Sequence, residues 1–215
     1  MQIKYLGHAS FLIKTKEARI VTDPFDPAAV GIKWPKTEAD IVTISHSHKD
    51  HSRADVVQGE PLVVDWPGEY EKNNVRIFGF KSYHDKEQGA KRGENILFKI
   101  EAEDISILHC GDMGVVPDQE LLDEVGRVDI LLVPAGGFYT IDANEAEEVV
   151  KKIEPSIVIP MHYNTPDKDQ KVFGQLAGVD VFLAKFGIEK AEPADQLTVK
   201  KEDLEEEMKI VVMAS

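Results

Sequence analysis

From Ile41 to His51 the chain reads Ile-Val-Thr-Ile-Ser-His-Ser-His-Lys-Asp-His, a short apolar segment leading into six residues with three imidazoles and a carboxylate. The β-branched run Ile41 to Ile44 predicts a strand, and side chains two apart on an extended segment project to the same side. His46 and His48 can therefore close on one ion, while Asp50 and His51, where the chain must turn, can reach a second. Imidazole nitrogen and carboxylate oxygen are ligands of zinc and its neighbours among the divalent metals. A solvated histidine tract is the plain alternative, but such tracts lack an apolar strand in front and an interleaved aspartate. All seven histidines of the chain, His8, His46, His48, His51, His84, His109 and His162, fall in short motifs.

A length of 215 residues fits one large domain or two small ones, and an apolar fraction of 42% can fill a substantial core. Lys and Arg total 25 against 39 Asp and Glu, a net charge of −14. That balance repels phosphate backbones and anionic membrane surfaces, which argues against nucleic acid and membrane as partners. Cys110 is the only cysteine, so no intramolecular disulfide can form and nothing points to an oxidising compartment. The first residues alternate apolar and polar without the regions of a signal peptide, and no apolar run approaches the ~18 residues of a membrane span. The expected location is cytoplasmic, and self-association is left open.

Taken in order, Gln2 to Ile13 predicts two strands broken at Gly7-His8, and Ala18 to Thr22 a third. Asp23 to Pro27 is turn-rich, and Ala28 to Asp40 is a loop without period. After the histidine loop, Arg53 to Gln58 predicts a short helix and Pro61 to Asp65 a strand. Trp66 to Glu71 is a turn cluster whose Glu69 and Tyr70 are candidates to line a pocket. Val75 to Tyr83 predicts a long strand ending at His84, and the polar, Gly-containing stretch Asp85 to Glu94 a mobile rim. Asn95 to Ile100 and Asp104 to His109 are further strands. From Pro117 helix and strand alternate: a helix over Asp118 to Val125 with an aspartate cap, a strand over Val128 to Val133, and a helix over Asp142 to Ile153. The strand Pro155 to Pro160 delivers Met161-His162. Beyond Thr165 come a weak helix, strands over Val179 to Ala184 and Gln196 to Val199, a solvated charge run from Lys200 to Glu207, and a last strand over Met208 to Met213.

The pattern His-x-His-x-Asp-His after a strand, with Thr22-Asp23-Pro24 before it and His84, Gly111-Asp112 and His162 after it, resembles the metallo-β-lactamase superfamily. Within it, Tyr5-Leu6-Gly7-His8-Ala9-Ser10-Phe11, His109-Cys110-Gly111-Asp112 and Ile159-Pro160-Met161-His162-Tyr163 are most similar to the branch containing ascorbate-6-phosphate lactonase. The resemblance implies an α/β fold over residues 1–215 as one domain, an αββα sandwich of two mixed β-sheets with helices on the outer faces. The two halves are expected to meet near Asp104, with the site in the crevice between them.

The same resemblance implies that His46, His48 and His84 hold one divalent ion and that Asp50, His51 and His162 hold another, with Asp112 bridging. Zinc is the favoured metal, with manganese or iron as alternatives. Two such ions generate a hydroxide nucleophile at ordinary pH, and Asp50 and Asp112 are the catalytic carboxylates, Asp50 handling the proton. His84 and His109 compete for the third place on the first ion, and His84 is preferred because it ends a strand and enters a loop. His8 and His109 are then expected to orient ligands from behind, and Asp23 to hydrogen-bond the metal loop. Cys110 reads as a small buried residue, and Tyr163 and Asn164 as candidate donors to a substrate oxyanion. The double glycine Gly136-Gly137 carries no usable phosphate signal, since Phe138 to Ile141 separate it from the next helix. The expected activity is metal-dependent hydrolysis of a small molecule: a lactone, ester or phosphoester. The competing readings are a nuclease of the ribonuclease Z kind and a non-hydrolytic metal-binding or redox protein.

Overall fold

The computed structural model describes residues 1–204 and 207–214. Strands β1 (Gln2–Gly7), β2 (Ser10–Lys14) and β3 (Arg19–Thr22) form an antiparallel meander, after which α1 (Pro27–Val30) leads to β4 (Ile41–Thr43) and β5 (Leu62–Val64), both parallel to β3. The second series is β6 (Gly68–Lys72), β7 (Val75–Tyr83), β8 (Glu94–Ala102), β9 (Ile105–His109), α2 (Gln119–Val125), β10 (Ile130–Pro134), α3 (Ala143–Ile153) and β11 (Ile157–Met161). Then follow α4 (Gln170–Phe173), α5 (Val179–Ala184), β12 (Leu197–Thr198) and β13 (Lys209–Ile210). One sheet has the order β12-β1-β2-β3-β4-β5 and the other β13-β11-β10-β9-β8-β7-β6, so the C-terminal segment adds a strand to each. Both sheets mix parallel and antiparallel pairs. The result is the expected sandwich of two mixed sheets with helices.

Strand periodicity explains the layering. In the first sheet Ile20 and Ile41 point into a cluster shared with Phe98, Ile100 and Ile107 of the second, while their neighbours Val21 and Val42 point outward under Trp34 and Val56. Strands β9, β10 and β11 are buried at every residue, as continuous apolar strands covered on both faces must be. Helix α3 buries Ala143, Ala146, Val149 and Val150, and starts with a capping box between Asp142 and Glu145.

Four sequence expectations need correction. The sheets part between β5 and β6, near Trp66, whereas Asp104 sits in the tight turn joining β8 and β9 of a single sheet. Val179 to Ala184 is the helix α5 and not a strand; its valines suggested β structure, but packing of Phe182 into the core, with Leu183 also buried, decides. Trp66 to Glu71 is mostly strand, since from Gly68 onward it belongs to β6, which pairs with β7 as a polar sheet edge of the kind that resists further pairing. The stretch Asp85 to Glu94 is a tied loop rather than a loose rim. The Asp85 carboxylate accepts the backbone N–H groups of Glu87, Gly89, Lys91 and Arg92 at 2.7–3.1 Å. Within the charge run, Lys201–Asp203 forms a short 3₁₀ turn, and residues 205 and 206 lie outside the described residues. Among the described residues no helix is long and apolar enough to cross a membrane.

Asp129 joins β9 to the start of β10. Its carboxylate accepts the backbone N–H and hydroxyl of Ser106 at 2.9 and 3.0 Å and pairs with Lys201 at 3.2 Å. Asp129→Ala is expected to destabilise the fold by about 1–3 kcal/mol in chemical denaturation, since it leaves buried donors unpaired. Burial raises the Asp129 carboxyl, but the Ser106 backbone N–H and Lys201 outweigh that and hold it below the ordinary range. Its stabilisation is therefore complete above the unfolded value of about 3.9 and lost as pH falls through the folded one. The gap between parent and variant should narrow as pH falls below the ordinary carboxylate range; a gap that stays constant throughout acid titration would contradict this.

Candidate metal centre

The centre begins at the C-terminal ends of β3 and β4. Asp23 follows β3 with a left-handed backbone (φ 40°), and its N–H bonds to Thr43 O at 2.8 Å. Its carboxylate accepts the Ser45 N–H at 2.8 Å, the Ser45 hydroxyl at 2.5 Å and His51 Nδ1–H at 2.8 Å. One buried carboxylate thus grips both ends of the histidine loop. The bonds also fix tautomers. With Nδ1 donating to Asp23, His51 turns its Nε2 to the interior. The single Ser45 hydroxyl proton is given to Asp23, so His46 Nδ1–H must donate to Ser45 Oγ, at 2.9 Å, and its Nε2 lone pair also faces inward.

The remaining ligand candidates arrive from the second sheet. His84 lies just past the end of β7, with Nε2 at 3.3 Å from Asp112 Oδ2. Asp112 follows β9, and its N–H bonds to Asn95 Oδ1 at 2.9 Å, while Asn95 Nδ2–H donates to Cys110 O at 3.0 Å. A Cβ on Gly111 would lie 2.5 Å from Ser45 Cβ, so only glycine lets this turn close on the histidine loop. His162 ends β11 in a left-handed conformation (φ 52°), with Nε2 at 3.2 Å from Asp112 Oδ2. His51 Nε2 is 3.2 Å from Asp112 Oδ1.

Donor atoms of His46, His48 and His84 lie within 4.8 Å of one another, and so do those of His8, Asp50, His51 and His162. Asp112 stands between the two sets. His109 joins neither: its Nε2–H donates to Ala9 O at 2.7 Å and its Nδ1 accepts the Gly111 N–H at 3.2 Å. Both ring nitrogens are spent on backbone, so its contribution is to brace the turn carrying Asp112.

Divalent metal fits this arrangement. His51 Nε2, His162 Nε2 and Asp112 Oδ1 are buried without a hydrogen-bond partner, a cost that a shared cation removes. Burial, reinforced by His51, pushes His46 down to about 3, and burial with His84 beside it lowers His48. Both offer lone pairs at neutral pH. Burial raises the Asp112 and Asp50 carboxyls, but neighbouring histidines, His162 and His51 for Asp112 and His51 and His8 for Asp50, more than reverse this and hold them ionised.

The candidate substrate residues are spread more widely. Glu69 is exposed on β6, and the Tyr70 hydroxyl donates to Trp66 O at 3.1 Å. Trp66 and Pro67, with Ile44 and Ile96, wall a cavity of about 500 Å³ that reaches His46. Tyr163 is buried, and burial pushes its phenol to about 12. Asn164 is engaged with Gln170 and Ala177 in a turn. Residue-by-residue reading missed Asn95 and Lys168. Lys168 is buried, donates to Tyr163 O at 2.5 Å and lies over the Tyr163 and Phe173 rings, anchoring the segment after His162. Neither carries a local motif; only the fold brings them to the centre.

Residues 2–162 match the model of the beta-lactamase superfamily domain. The chain is 32% identical over 223 residues to a UPF0173 metal-dependent hydrolase of Thermococcus onnurineus, covering 87% of this chain and 97% of that protein. It is 30% identical to one of Thermoplasma acidophilum, covering 83% and 91%. Among solved structures it superposes with TM-score 0.81 and 38% identity on a proposed Zn-dependent hydrolase of the metallo-β-lactamase superfamily from Thermotoga maritima, covering 99% of this chain and 97% of that one. The chain belongs to the metallo-β-lactamase superfamily, among its UPF0173 metal-dependent hydrolases.

The geometry separates His84 from His109. His84→Ala should lose metal outright, whereas His109→Ala should keep it with affinity lowered by roughly 10–100-fold. Elemental analysis of the two variants side by side checks this, and the reverse pattern would exchange their roles.

Proposed function

We propose that the protein hydrolyses a small molecule carrying a lactone, ester or phosphoester bond, using two divalent cations, with zinc favoured over manganese or iron. The observation that carries this reading is the pair of donor sets, buried except for the exposed His48 and the part-exposed Asp50, with the Asp112 carboxylate within 3.2–3.3 Å of members of both. His46, His48 and His84 would hold one cation and Asp50, His51 and His162 the other. Bound there, the cations would acidify water from ~15.7 towards neutrality and stabilise charge developing on the attacked group.

The chain's own residues do the rest. Asp112 directs Oδ2 towards His84 and His162 and Oδ1 towards His51, so one carboxylate sets the spacing of the two sets. Asp50 keeps 23% of its side chain exposed against 3% for Asp112, so it is the carboxylate that can take a proton from entering water and pass it out. The cavity beside His46, with an indole 71% exposed at its wall, suits the apolar body of a small ester or lactone. A net charge of −14 works against a polyanionic substrate, which sets the nuclease reading second. The lone buried thiol of Cys110 is compatible with a cytoplasmic setting.

A screen of lactones, esters and phosphodiesters with metal-loaded and metal-depleted protein tests the proposal. Activity should appear only with metal, and Asp112→Asn should lower it by more than the roughly 10–100-fold of an outer-shell change while leaving thermal unfolding cooperative. Tight RNA binding at physiological salt would favour the nuclease, and an Asp112→Asn variant as active as the parent would refute the mechanism.

A further inference from the structure

We infer that His8 is itself a ligand of the second cation, so that three imidazoles and a terminal carboxylate surround that ion. The inference rests on the two-cation reading above and adds a residue to it.

His8 sits in the turn between β1 and β2 with a left-handed backbone (φ 59°). Its carbonyl is pinned by two donors, the Tyr5 hydroxyl at 2.7 Å and the His162 N–H at 2.8 Å. The second of these ties it to the backbone of another ligand candidate. The ring is fully buried, with its centroid 4.3 Å from that of His162 and 4.9 Å from that of His51.

Distances within the centre discriminate between a ligand and a brace. Bonds that brace ligand rings from behind are short: His51 to Asp23 at 2.8 Å and His46 to Ser45 at 2.9 Å. Donor atoms that face each other across a candidate ion are farther apart: His46 to His48 at 3.1 Å, His51 and His162 to Asp112 at 3.2 Å, and His84 to Asp112 at 3.3 Å. His8 Nε2 lies 3.2 Å from Asp50 Oδ2, with the second group. A charge-assisted N–H to carboxylate bond is usually about 2.7–2.9 Å, whereas two ligands at about 2.0–2.1 Å from a tetrahedral ion stand roughly 3.3–3.4 Å apart. A donor atom of His8 also lies within 4.8 Å of those of Asp50, His51 and His162.

The alternative is that His8 only orients Asp50, and a double-mutant cycle separates the two. Zinc content and affinity are measured by elemental analysis and chelator competition for the parent, His8→Asn, Asp50→Ala and the double variant. Asparagine is chosen because it tolerates the left-handed backbone; His8→Ala serves as a second substitution, with cooperative unfolding as the check on folding. A ligand at this position predicts more than a 100-fold loss of affinity for the second zinc in His8→Asn, and a further loss of at least 10-fold when the change is made in Asp50→Ala. Parental affinity in His8→Asn, or no additional loss in the Asp50→Ala background, would overturn the inference while leaving the two-cation reading intact. A parent that takes up fewer than two zinc ions would overturn both.

Discussion

The carboxylate of Asp23 is the constraint on which the metal centre depends. Burying an anion is costly unless its lone pairs are filled, and here the Ser45 N–H, the Ser45 hydroxyl and His51 fill them. The same bonds set which nitrogen of His51 and of His46 faces inward. Asp23 can do this because β3 and β4 run parallel and adjacent, so their C-terminal ends lie side by side. The meander that opens the chain thus prepares the turn from which the histidine loop hangs.

The centre belongs to both sheets, which couples it to the packing between them. Ser45 O accepts the Ile96 N–H at 2.9 Å, and His109 reaches Ala9 O at 2.7 Å across a hundred residues of sequence. The Asp112 turn is held by Asn95 on β8 and pressed against Ser45 through Gly111. A shift of one sheet against the other would move Asp112 relative to the histidine loop. The shared apolar cluster, with Ile20 and Ile41 on one side and Phe98 and Ile107 on the other, resists that shift. Packing and ligand geometry are therefore one problem in this chain.

The parts of the site written locally were legible in the sequence. His46, His48, Asp50 and His51 lie in six residues after an apolar run, and the strand over Val75 to Tyr83 and the capped helix beginning at Asp142 carry clear periodic and capping signals. What failed was written in tertiary contacts. Val179 to Ala184 has strand-like valines but packs Phe182 and Leu183 as one helical turn. The Asp85 loop looked loose because four backbone bonds to one carboxylate leave no mark on composition. The sheet boundary was misplaced because neither the Glu103-Asp104 turn nor the Asp65-Trp66-Pro67 link tells which strands pair across it. Asn95 and Lys168 gave no signal, and the proximity of His8 to Asp50 joins residues 42 apart in the chain.

The central claim is that two cations sit on either side of Asp112. Crystals grown with zinc, with anomalous data collected on both sides of the zinc edge, test it most directly. The account predicts two peaks about 3.5–4 Å apart, one among His46, His48 and His84 and the other among Asp50, His51 and His162, with Asp112 reaching both. A single peak, or zinc bound away from these residues, would contradict it.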